Sequence, residues 1–176
     1  MNEKSSLSYN LFLIGFMGTG KSFVAAYLHS KYKMSLFEMD EKIAEREGMS
    51  IPKLFETKGE KYFRAAETKL LLEIQNTQNT VISCGGGVPM RACNIETMKQ
   101  NGKVILLTAS PETILTRVSG NDDNRPLLQG RKKLSAIQAL MEQRHLYYEA
   151  AADLTIVTDG KQVKEICREI FQKLKE

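Results

Sequence analysis

Apolar residues fall along this chain in two alternating patterns, short unbroken runs and longer stretches at helical spacing. "NLFLI" (10–14) is a near-continuous apolar run ending at a glycine, the pattern of a strand buried on both faces. From Lys21 to Lys33, the apolar Val24, Ala25, Leu28 and Tyr32 recur with the period of a helix. "SLFEM" (35–39) is a second short strand candidate, and residues 40–76 read as helices broken near Gly48-Met49-Ser50 and Lys58-Gly59. Ser50 marks a helix start, with Pro52 tolerated in the first turn. "TVIS" (80–83) and "KVILLT" (103–108) supply a third and fourth strand, and Ser110 caps a helix opening with Pro111 and Glu112. Residues 119–133 are polar, turn-rich and follow neither period. A long helix over roughly 134–150, the strand "LTIVT" (154–158) and a closing helix (161–175) complete the chain. Strands alternating with helices of about 10–15 residues predict an α/β domain whose parallel sheet is covered on both faces.

Composition narrows this only slightly. The 176 residues suit one domain, and 42% hydrophobic with 26% charged residues is ordinary for a soluble protein. No apolar run approaches the ~20 residues that span a bilayer, and "LFLIGFM" is too short and wrongly flanked for a signal peptide. Cys84, Cys93 and Cys167 are odd in number and irregularly spaced, which favours reduced thiols in the cytoplasm over disulfides or zinc. A net charge of +4 suits anionic small molecules. It is too weak and dispersed to indicate nucleic acid.

Chemistry first becomes specific at "GFMGTGKS" (15–22), which fits G-x-x-x-x-G-K-[ST] between a predicted strand and a predicted helix. Gly15, Gly18 and Gly20 let the loop through Thr19 wrap its backbone N–H groups around a phosphate at a helix N-terminus. Lys21 is placed to reach the β- and γ-phosphates of ATP, and Ser22, followed by Phe23, to sit on Mg²⁺. No N-K-x-D base-reading motif appears, which argues against a GTPase. A chain this short with such a loop near residue 15 fits a metabolite kinase better than a nucleotide-binding switch. A kinase needs a second pocket.

Several features could line it. Glu38 and Asp40 stand where the second strand ends, the place at which open α/β sheets hold ligands; Asp40 equally suits capping the helix that starts at Glu41. Arg64 and Glu67 face the same way on a helix, either as a surface pair or as a carboxylate-binding fork with its orienting acid. In "SCGGG" (83–87), a turn accounts for Gly85, whereas Gly86 and Gly87 point to something approaching the backbone closely. Arg125 in "NRPLL" suits a lid closing over phosphates. Arg144 is either a helix-end charge or a further pocket cation.

As an ordered set, the loop at 15–22, the acids at 38–40, "FR..E" (63–67), "GGG" (85–87), "RPLL" (125–128) and "R...Y...AD" (144–153) resemble the shikimate kinase family over nearly the whole chain. The resemblance implies a three-layer αβα P-loop kinase fold with strand order 2-3-1-4-5. It implies one domain over 1–176, a substrate-binding segment about 38–68 and a lid about 119–131. The implied reaction is ATP plus shikimate giving ADP and shikimate 3-phosphate with Mg²⁺, in the route to chorismate and aromatic amino acids. It is the work of a monomer needing neither nucleic acid nor membrane. Asp40 would then accept from the ring hydroxyls, Arg64 and Arg144 would clamp the carboxylate, and Gly86 and Gly87 would offer N–H groups. Arg117 would stack on adenine, and Glu38 would hold Mg²⁺-bound water, Arg125 swinging in toward the transferred group. Two departures stand out: Glu38 replaces the family's usual first aspartate, and Leu146 replaces its usual proline.

Overall fold

The computed structural model describes residues 7–119 and 134–175. Five strands form one sheet: β1 (Asn10–Ile14), β2 (Ser35–Glu38), β3 (Thr80–Ser83), β4 (Gly102–Thr108) and β5 (Leu154–Val157). They lie in the order β2-β3-β1-β4-β5 and every pairing is parallel. The lack of polar alternation in β1 now has its cause, for the strand is central and all five of its residues are buried. Its pleat feeds two cores. Leu11 and Leu13 pack with Val24, Ala25 and Leu28 of helix α1 (Lys21–Tyr32) and with Ile166 and Ile170 of α7 (Val163–Lys173). Phe12 and Ile14 pack on the other face with residues of α2 (Met39–Glu47), α3 (Ile51–Glu73) and α6 (Leu134–Ala151). A sheet clothed on both sides leaves its strand ends as the place for a ligand.

The helix signals hold where the local chemistry is strong. Ser50 caps α3 by accepting from the Lys53 N–H, and Ser110 caps α5 (Pro111–Val118) by accepting from the Thr113 N–H. Gly59, at φ 78° and ψ 168°, interrupts α3 where the sequence predicted a break. Two features differ from expectation. Helix α4 (Ala92–Asn101) buries only Asn94 and Met98, so it carries no apolar stripe to announce it. Helix α2 begins at Met39, two residues before Glu41. Buried Met39 reads as an extension of the strand in sequence but serves as a core residue of the helix.

No helix among the described residues is long and apolar enough to cross a membrane. All three cysteines are free, as their spacing suggested. The lid segment from residue 120 onward, with Arg125, lies outside the described residues.

Candidate active site

The loop between β1 and α1 is built on glycine conformations. Gly15, Gly18 and Gly20 have φ of 139°, 79° and 96°, a region costly for side-chain-bearing residues. Gly15 is further constrained, since a Cβ there would collide with the Leu107 carbonyl of β4. Buried Thr19 pins the turn by donating its hydroxyl to the Phe16 carbonyl at 2.8 Å. The Lys21 ammonium arches over the loop, donating to the carbonyls of Gly15 (2.9 Å) and Phe16 (3.0 Å). Phe23 is 75% exposed at the rim. The loop opens into a cleft of about 700 Å³ that continues past the ends of β2 and β3.

Glu38 and Asp40 divide their attention within that cleft. Because α2 starts at Met39, the chain turns between them. Glu38 aims at the loop, where Ser22 Oγ donates to its Oε2 at 3.2 Å and Ser83 Oγ lies 3.5 Å from Ser22 Oγ. Burial raises its pKa, against the hydrogen bonds from Ser83 and Ser22. Asp40 does not cap α2: the cap position is Glu38, and Asp40 sits in the first turn. Its carboxylate keeps an open side to the cleft, but the surrounding protein strips enough water to raise its pKa, opposed by the charges of Lys21 and Arg64.

The basic half of the cleft comes from two helices. Arg64 on α3 donates from Nη1 to Glu67 Oε2 at 2.8 Å and from Nη2 to Glu60 Oε1 at 2.9 Å. The Arg64–Glu67 contact is not a surface pair, since the Glu67 side chain is 0% exposed. Desolvation pushes the Glu67 carboxyl up to about 7, against the stabilising charge and hydrogen bond of Arg64. Arg144 is buried rather than solvated, and it stands almost two turns inside α6 instead of at the helix end. Its guanidinium packs over the Phe16 ring at 5.9 Å, with Nη1 3.5 Å from the Gly86 carbonyl. That carbonyl also accepts from Tyr148 Oη at 2.7 Å. The sequence alone gives Tyr148 no separate role, although its place one turn after Arg144 puts both on the same helix face.

The glycine triplet joins these parts. A turn does start at Gly85, whose carbonyl accepts from the Val88 N–H at 3.1 Å. None of Gly85, Gly86 and Gly87 is among the glycines with left-handed φ, so the turn by itself does not require glycine there. Each glycine instead makes room for a functional side chain. A Cβ on Gly85 would lie 2.5 Å from Glu67 Oε1 and 2.9 Å from Asp40 Oδ1. One on Gly86 would crowd Arg144 Nη1 at 3.3 Å, and one on Gly87 would overlap the Arg64 guanidinium.

At the far rim, Arg117 donates to the Gly18 carbonyl (3.1 Å) and to Thr158 Oγ1 and O (3.1 and 3.2 Å). It therefore ties the phosphate loop to the turn after β5. Leu146 is 74% exposed and α6 continues unbroken through it. A residue with an N–H keeps the helix regular where proline would interrupt it.

A phosphate loop thus opens onto a pocket with buried Arg144, partly buried Arg64 and a solvent-facing acid, Asp40. A shikimate kinase family model matches residues 17–175. A shikimate kinase of Dehalococcoides mccartyi is 41% identical over 167 residues, covering 95% of this chain and 94% of that protein. One of Sulfurihydrogenibium is 41% identical over 166 residues, covering 94% and 98%. Among solved structures, the Acinetobacter baumannii shikimate kinase in complex with shikimate superposes with a TM-score of 0.89 at 33% identity, covering 94% of this chain and 92% of the other. The Aquifex aeolicus shikimate kinase gives 0.79 at 32% identity, covering 94% and 96%. With fold and sequence agreeing over nearly its full length, this chain belongs to the shikimate kinase family.

Proposed function

We propose that the cleft transfers the γ-phosphoryl group of ATP to a ring hydroxyl of shikimate, giving ADP and shikimate 3-phosphate. The observation that carries this reading is the convergence of Arg64 and Arg144, from separate helices, on the glycine wall beside the phosphate loop. Two guanidinium groups suit one carboxylate, and Asp40 between them and Lys21 suits the hydroxyls of the same small ring. The Gly86 and Gly87 N–H groups complete that ring's surroundings.

ATP would bind with its phosphates on the loop from Gly15 to Ser22 and its base toward Arg117 and Phe23. Lys21, now bonded to its own loop carbonyls, would exchange them for the β- and γ-phosphate oxygens. The hydroxyls of Ser22 and Ser83 beside the Glu38 carboxylate form an oxygen-only set, which fits Mg²⁺ held by few protein ligands, waters and phosphates. Bound there, Mg²⁺ would neutralise charge on the β- and γ-phosphates. Arg125 keeps the phosphate-closing role its motif implies. The substrate is held by the segment 38–68 and the triplet, within one domain. The enzyme is further proposed to be a cytoplasmic monomer acting on small molecules, with no nucleic-acid partner.

A loose phosphoryl-transfer transition state needs positioning and charge neutralisation more than a strong base. Glu38→Asp should therefore keep kcat within about tenfold, roughly 1.4 kcal/mol of barrier. A collapse of steady-state activity would show that the longer side chain is itself required. The function is tested by a coupled ADP-release assay offering shikimate, gluconate and AMP in parallel. Turnover with shikimate alone is expected; turnover with gluconate or AMP and none with shikimate would overturn the reading.

A further inference from the structure

Among the described residues, one buried side-chain oxygen has no hydrogen-bond partner, Oε1 of Glu67. The other carboxylate oxygen, Oε2, accepts from Arg64 Nη1 at 2.8 Å. Oε1 instead faces the hydrogen-only side of Gly85, where Asp40 Oδ1 also arrives. A Cβ on that glycine would lie 2.5 Å from the first oxygen and 2.9 Å from the second. Two acid groups thus meet in a space that no larger residue at position 85 would leave. An ionised carboxylate oxygen kept dry and bare beside a second acid is a costly arrangement. A proton on Oε1 removes the charge and supplies the missing donor at once.

We propose that Glu67 carries a proton on Oε1, donated toward Asp40 Oδ1, in the substrate-bound state, and that binding of the substrate anion draws this proton from solvent. The inference rests on the shikimate reading of the cleft. One proton moves from water or buffer to Glu67, and no bond of the substrate changes. Glu67 thereby acts as a positioning residue through Arg64 and Asp40.

The groups around Glu67 set the direction. Arg64 and, behind it, Glu60 lie on the same helix, Asp40 on α2, Cys84 after β3, and Arg144 with Tyr148 on α6. Burial dominates and Asp40 acts with it to favour the neutral acid, while Arg64 and Arg144 oppose them, leaving Glu67 at about 7. Of the two acids Glu67 is the one sealed from solvent, whereas Asp40 retains an open side. Near neutral pH the free protein therefore holds both forms of Glu67. A substrate carboxylate placed on Arg64 and Arg144 engages the cations that favour the ionised form and adds negative charge nearby. Both changes raise the Glu67 pKa, so protons are taken up on binding and affinity falls as pH rises above about 7. Over that range the substrate carboxylate stays ionised.

Calorimetry of shikimate binding to the whole protein, at pH 7.5 to 8.5 in buffers of different ionisation enthalpy, measures this uptake without turnover. The expected result is uptake of on the order of half a proton or more per site. The shikimate dissociation constant should weaken with pH by at most about tenfold per unit. Glu67→Gln keeps an oxygen for Arg64 and presents a permanent donor to Asp40, so it should take up no proton and bind with a pH-independent constant. Absence of uptake by the wild type, a measurement that stands even if the variant fails to fold, overturns the proposal. Equal uptake by Glu67→Gln overturns it as well. A chain that binds no shikimate at all overturns the functional reading itself, and this inference with it.

Discussion

Replacing Arg64 by Ala should cost about 2–5 kcal/mol of shikimate affinity, roughly thirty- to several-thousand-fold in dissociation constant, with ATP binding nearly intact. Arg64 faces the glycine wall and its own acids rather than the phosphate loop, and this separation is why the two ligands should respond differently. The substitution also strips Glu67 of its buried partner. Breaking a buried pair is normally expensive, but Glu67 is already raised to about 7 and escapes much of the penalty by taking a proton. The melting temperature should therefore fall further at pH 8.5 than at pH 6, because the neutral acid available at low pH must ionise, unpaired, at high pH. Isothermal titration with each ligand, paired with thermal melts at the two pH values, checks both statements. Weakened ATP binding of similar size would show that the pocket is misassigned.

Gly87→Ala is the second large effect and acts by a different route. Gly87 has φ −100°, so alanine fits the backbone without strain, and the damage comes from the overlap of its Cβ with the Arg64 guanidinium. The guanidinium is the far end of a flexible side chain, so it should move and the fold should survive. Expected is a rise in the shikimate KM of about 10–100-fold, or about 1.4–2.7 kcal/mol, with the KM for ATP changed by less than about threefold. Residues in contact couple, which makes the double variant decisive. With Arg64 already alanine, Gly87→Ala should add less than about threefold. Full additivity would mean that the glycine accommodates the substrate ring directly, and that displacement of Arg64 is not the mechanism.

Much of the fold is legible in the sequence because burial leaves a local trace. The unbroken apolar run of β1, the helical spacing of Val24, Ala25 and Leu28, and the caps at Ser50 and Ser110 each state their structure within a few residues. The exceptions follow the same logic. Helix α4 buries too little to show a stripe, and Met39 is apolar whether it ends a strand or begins a helix. For the site, the phosphate loop is readable because its spacing and flanking elements are local. Arg64 with Glu67, and Arg144, are visible as candidates, yet neighbouring residues do not distinguish a buried pocket cation from a solvated one. The triplet shows the limit most clearly: the turn at Gly85 is legible and present, yet what calls for glycine at all three positions is room for side chains from distant segments.

By itself, then, the sequence determined the alternation of strands and helices, the glycine-built phosphate loop and the family resemblance, all carried by contiguous residues or their order. Only the tertiary structure decided which polar groups meet. The parallel crossovers bring segments 38–40, 64–67, 83–87 and 144–148 to one end of the sheet. There burial, rather than residue type, turns Arg144 into a pocket wall and holds Glu67 at about 7. Hydrophobic periodicity records which side of an element is dry. Desolvation and charge depend on neighbours far away in the chain, and no local pattern records those.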